Sequence, residues 1–140
     1  MRWMFIPLAA AIVACGEAPS TGDAGPEAIA PHLGEIETKV FAIGCATSSC
    51  HGAPNEHGLV LTPGKSYASL VNVAARNAAA SAAGMKRVEP GAPEHSFLIQ
   101  KVTSDQRAGF GAIMPPIGDH LDDAAIAALT QWIQNGAKND

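Results

Sequence analysis

Aromatic side chains are scarce in this sequence: four Phe, two Trp and one Tyr among 140 residues. The 47% hydrophobic fraction conceals that scarcity, because much of it is alanine. With 14 glycines and 10 prolines besides, the chain has little bulk with which to fill a core. A basic surplus is missing too: 9 Lys and Arg stand against 13 Asp and Glu, a net charge of −4. That balance argues against a nucleic-acid or anionic-membrane binder working through a basic face. No apolar run reaches the roughly 20 residues of a spanning helix. Strand-type alternation followed by a hairpin turn is lacking, which points away from a β fold. The length allows one domain plus appendages.

What is present begins with an export signal. Met1-Arg2 gives a short positive start, an apolar stretch follows from Trp3 to Ala14, and Cys15-Gly16 comes next. A charged start, a short apolar region and small residues before a cut define a signal peptide over residues 1–14. Ile12-Val13-Ala14-Cys15 resembles a bacterial lipobox, which implies cleavage before Cys15 and a diacylglycerol on its sulfur as the membrane anchor. Gly16, rather than Asp, follows Cys15, so sorting to the outer membrane is expected on the periplasmic side of the envelope. An ordinary signal peptide with an incidental cysteine is the alternative. Residues 15–33 then form the lipidated cysteine and a tether, with three prolines, three glycines and no apolar period.

From residue 34 onward the pattern is helical. Ile36, Val40 and Ile43 fall at helical spacing between Gly34 and Gly44. A second helix is predicted from Lys65 to about Ala75, with Tyr67, Leu70, Val71 and Ala74 inward. The alanine-rich stretch from Ala75 to Gly84 reads as a loose helical extension or surface loop. Pro93 suits the first turn of a third helix running through Val102, with Leu98, Ile99 and Val102 inward. The last helix is best marked: Asp122 caps it, Ile126, Leu129, Trp132 and Ile133 form one stripe, and Gly136 ends it. The expected class is all-α, about four helices with long irregular loops.

The chemistry sits in one heptapeptide, Cys45-Ala46-Thr47-Ser48-Ser49-Cys50-His51. Two nearby thiols with a histidine directly after the second are a mark of covalent c-type haem attachment. The thiols would form thioethers to the two vinyl groups, and His51 would be held under the iron as proximal ligand. Four residues separate the cysteines here, where two are usual. Two other readings compete. Cys45 and Cys50 could form a disulfide in an oxidising compartment, leaving a haem-free structural lipoprotein. Alternatively, Cys45, Cys50, His51 and His57 could hold zinc or copper.

A haem reading requires a second axial ligand downstream, on a fixed loop. Met114-Pro115-Pro116 supplies one: the thioether favours reduced iron, and two prolines stiffen the strap that presents it. Met85 lies in the Ala/Gly-rich stretch, and His57, His95 and His120 read as surface or loop residues. If Met114 does not ligate, an open distal site would suit a haem sensor or peroxidase. Leu59, Leu61, Leu70, Leu98 and Ile113 are candidates for the pocket wall.

Phe41, the Cys45–His51 motif, Met114-Pro115-Pro116 and the closing stretch from Leu129 to Ala137 together resemble a monohaem cytochrome c domain. With Gly58 to Leu61, Tyr67, Leu70, Val71 and the stretch from Val88 to Ile99, the likeness is closer to the cytochrome-c-like domains of myxobacterial and planctomycete lipoproteins. It covers about residues 34–138. The resemblance implies a cytochrome c-like fold over residues 34–140, its first and last helices crossing so that Phe41 packs against Trp132. It implies one covalent haem c with His51 and Met114 on the iron, and an electron-transfer protein rather than an enzyme. Redox partner proteins and a monomeric domain are the expected company. Two departures stand out: Glu37 occupies a position where the family often keeps a small residue, and only Pro54 offers itself to brace the proximal histidine.

Overall fold

The best-marked helix forms where its signals place it. In the computed structural model, which describes residues 28–54, 58–103 and 107–140, α5 runs over Asp123–Gln134. Asp122 caps it, its carboxylate accepting from the Ala125 N–H at 2.8 Å. Gly136 turns the chain away at a φ of +97°, where the left-handed conformation costs glycine little. Leu129, Trp132 and Ile133 are fully buried on its inner face. The remaining helices are α1 (Leu33–Ile36), α2 (Ser66–Leu70), α3 (Ala78–Ala82) and α4 (Phe97–Val102), with a 3₁₀ turn over Pro93–His95. Among the described residues, extended pairing is limited to single bridges: Val71 with Val88, Ala74 with Lys86, and Lys86 with Ser96. The architecture is predominantly helical, with irregular connections.

The first helix departs from expectation in a consequential way. After α1 the chain winds as a π-helix over Glu37–Cys45, closing with Ala46 N–H to Phe41 C=O at 2.7 Å. Winding at i→i+5 stacks Ile36 under Val40 and Phe41, and those under Cys45. Ile36, Val40 and Phe41 are buried accordingly. Ile43, expected inward on a 3.6-residue period, instead faces solvent and is 77% exposed. The wider turn carries it to the opposite side. π-helical winding is rare and concentrates at functional sites, and here it leads straight into the first cysteine.

Other elements are shorter than the sequence pattern suggested. The second helix stops at Leu70, because Val71 turns extended at ψ 125°, and Ala74 is exposed. The third is interrupted at Ser96, whose hydroxyl serves the Glu89 N–H and the Ala92 C=O at 2.9 Å each; α4 starts after it. The alanine-rich stretch contains a true helical turn, α3, capped by Asn77 Oδ1 accepting from Ala80 N–H at 3.0 Å. Ile29 and Leu33, read as the end of a tether, pack on the core. Residues 1–27, with the signal peptide, Cys15 and most of the tether, lie outside the described residues, as does His57.

One core gathers Ile36, Val40 and Phe41 from the first segment, Leu61, Leu70, Val88 and Val102 from the middle, and the buried face of α5. Phe41 and Trp132 are each 1% exposed in this cluster, and α1 packs on α5. Trp132 Nε1 donates to Lys138 C=O at 2.8 Å. Asp140 fastens the start of α1, its carboxylate accepting from Leu33 N–H at 3.0 Å and lying 3.0 Å from His32 Nδ1. The His32 ring, and next the Leu33 amide, hold this carboxyl below the usual carboxylate range. A second cluster joins Ala75, Ala80, Met85 and Phe110, with Phe97 set edge-on to Phe110 at 5.4 Å and 81°.

Glu37 has a structural task. It is buried, and its Oε1 accepts from Ser66 Oγ–H at 2.5 Å and Gly64 N–H at 3.0 Å. The carboxylate thereby ties the π-helical segment to the start of α2. Glu37→Ala leaves two inward donors without an acceptor, and is expected to cost about 1–3 kcal/mol. Urea unfolding of the two proteins checks it, and an unchanged midpoint would contradict the assignment.

Candidate functional site: the thiol loop and the methionine strap

The π-helical segment delivers Cys45 at its last position, half-buried, and the chain then folds back in a tight loop. Cys45 C=O accepts from His51 N–H at 3.0 Å. Thr47 C=O accepts twice, from Cys50 N–H at 3.0 Å and Gly52 N–H at 2.8 Å. These bonds bring the two ends of the heptapeptide together despite the four intervening residues. Gly52 is required for closure: a Cβ there would lie 2.4 Å from Ala46 O and 2.7 Å from Thr47 O. Both are backbone atoms that cannot swing aside. His51 C=O accepts in turn from Leu61 N–H at 2.8 Å, which joins the half-buried histidine to a core residue.

Cys45 and Cys50 are not joined in a disulfide; Cys45 is half-buried and Cys50 exposed. Their acidities are driven apart. Burial, and then the neighbouring Cys50, pushes the Cys45 thiol up. Hydrogen bonds from Thr47 and then Ser49 bring the Cys50 thiol down. Cys50 is therefore the more readily ionised and more accessible nucleophile of the pair.

The methionine strap arrives at this loop from far along the chain. A Cβ built on Gly44 would sit 3.8 Å from Pro115 Cγ, so the residue after Met114 abuts the residue before Cys45. Met114 is half-buried, and its N–H donates to Lys101 C=O at 2.6 Å. The two large apolar side chains exposed among the described residues are close in sequence to this junction: Ile43 at 77%, just before Gly44, and Ile117 at 88%, two residues after Pro115. Of the expected wall residues, Leu61 and Leu70 are fully buried in the main core, Leu59 and Leu98 are half-buried against it, and Ile113 is half-buried next to Met114.

The competing residues fall elsewhere. Met85 is 6% exposed within the second cluster, so its thioether is spent on packing. His95 and His120 are exposed, and the His95 ring lies 3.8 Å from Glu89. Pro54 is exposed. Among the described residues no three His, Cys, Asp or Glu side chains converge as a metal-ion cluster; His57, the fourth residue of the zinc or copper reading, is not one of them. Two shallow depressions, one around His32, Lys138 and Asp140 and one around Ile29, Ala124 and Ala128, include none of the thiol loop or strap.

The donor types fit a covalently held haem: two thiols outside any disulfide, an imidazole adjoining the second in sequence, and a thioether in the residue before Pro115, which abuts Gly44. Lys101 and Gly52 were not singled out from the sequence. A glycine right after the histidine was the available signal for Gly52, and nothing local marks Lys101. No protein-family model matches this chain, and neither curated proteins nor solved structures yield a match.

Proposed function

We propose that the chain is an exported, lipid-anchored c-type cytochrome that carries single electrons through one covalent haem. The observation that supports this reading is the approach of Pro115 to Gly44, the residue after Met114 against the residue before Cys45, although 62 residues of sequence lie between His51 and Met114. A thiol pair alone suits a disulfide; a thiol pair, an imidazole and a soft thioether on converging segments suit a macrocycle held at its rim and on both axial sides.

Cys45 and Cys50 would hold the group through thioether bonds, with His51 and Met114 as axial ligands. When bound, haem iron supplies one-electron exchange between its ferric and ferrous states. The chain's own residues set the conditions for that exchange. The hydrogen-bonded loop fixes His51 relative to both cysteines. The prolines after Met114 restrict the strap, and the thioether favours the reduced metal. Half-buried Leu59, Leu98 and Ile113 would be the candidates for an apolar surround. With His51 and Met114 both holding the group, chemistry on substrates would not be expected, and redox proteins would be the natural partners. Cys15 would anchor the chain to the membrane; among the described residues no helix is long and apolar enough to cross one.

The ligation is tested on the full chain matured with the cytochrome c assembly machinery. Wild type is expected to show a methionine-to-ferric-iron charge-transfer band, and Met114→Ala to lose it while keeping its haem. A wild type without the band would favour an open distal site instead.

A further inference from the structure

Lys101 stands in the last turn of α4 and reaches three alternate residues of the segment that carries Met114. Its Nζ donates to Phe110 C=O at 3.1 Å and to Ala112 C=O, and its own C=O accepts from Met114 N–H at 2.6 Å. The ammonium also lies 5.8 Å from the centre of the Phe97 ring, the ring set edge-on to Phe110. One side chain thus ties a loop at residues 110 and 112, while its backbone ties it at 114.

The loop needs such a tie. Residues 107–114 form no helix or strand, and Gly109 and Gly111 both adopt positive φ, +87° and +82°. Glycine at such positions gives the chain conformational freedom that must be removed if the loop is to hold one shape. A Cβ on Gly111 would lie 3.5 Å from Lys101 Nζ, so the ammonium sits against the bare backbone. An ammonium has three donors and no acceptor, and its charge strengthens bonds to carbonyls in a half-buried setting.

We infer that Lys101 is a positioning residue for Met114: its ammonium clamps the Phe110–Ala112 backbone and so fixes the strap that presents the thioether. This rests on Met114 being an axial ligand. The clamp acts on the ligand's placement, not on haem attachment, which depends on Cys45 and Cys50 in a different segment.

The test uses the haem-loaded full chain in five forms: wild type, Met114→Ala, Lys101→Leu, Lys101→Gln and Lys101→Arg. Leucine keeps the apolar stem and loses every donor; arginine keeps the charge and donors. Lys101→Leu is expected to hold haem at the wild-type ratio while its methionine–iron charge-transfer band loses most of its intensity and its midpoint potential moves down. Lys101→Arg is expected to restore much of both, and Lys101→Gln to fall between, which keeps the test open if the leucine variant fails to fold. A wild-type band and potential in both the leucine and glutamine variants would overturn the inference and leave Met114 ligation standing. Absence of the band in wild type would overturn both.

Discussion

Alanine at position 132 is expected to lower the unfolding free energy by about 3–5 kcal/mol. Trp132 is 1% exposed, among the largest fully buried side chains, and central to the cluster that joins the first segment to α5. Small domains hold only about 5–15 kcal/mol in all, and this one has few large side chains to compensate. With Trp3 and Phe5 in the predicted signal peptide, five aromatics remain: Phe41, Tyr67, Phe97, Phe110 and Trp132. Trp132→Phe separates packing from polarity. It keeps most of the apolar contact but leaves Lys138 C=O without its 2.8 Å donor, a loss of about 1 kcal/mol beside the smaller ring's packing deficit. Urea midpoints of the three proteins check the ranking. An alanine variant within about 1 kcal/mol of wild type would contradict a core organised on α5.

Gly52→Ala is expected to abolish most haem attachment while leaving the α5 core folded. The added methyl meets Ala46 O at 2.4 Å and Thr47 O and C at 2.7 and 2.8 Å, so the loop must open. Overpacking of this kind costs about 1–3 kcal/mol locally. Here it also breaks the pairing that sets His51 against Cys45, because Thr47 C=O is the shared acceptor of Cys50 and Gly52. The haem-to-protein ratio after maturation reads the effect directly. Attachment at the wild-type level would show that the closed loop is not what the chemistry needs.

The legible parts of the sequence were those whose signals are local. α5 has a capping Asp122, a 3.6-residue stripe and a terminating Gly136, and it forms between them. The thiols and His51 announced themselves by adjacency. Ile43 was misplaced because a 3.6-residue period assumes i→i+4 winding, and nothing in the Glu37–Cys45 composition marks the wider turn. Glu37 looked like an intrusion where helices should approach, and only the fold reveals Gly64 and Ser66 as its partners. α2 ends early because Val71 leaves the helical region to bridge Val88, a partner 17 residues on. The junction of Gly44 with Pro115 and the reach of Lys101 to the strap depend on how distant segments converge, and no local pattern encodes that.

Thioether attachment of haem is the central claim, and one measurement addresses it most directly. The full chain, matured with the cytochrome c assembly machinery, is extracted with acid–acetone and its pyridine haemochrome spectrum is recorded on the protein fraction. The account predicts haem retained at one per chain, lost when Cys45 and Cys50 are both replaced by serine. Colourless protein, or haem that leaves entirely with the solvent, would contradict it and leave Cys45 and Cys50 to a disulfide.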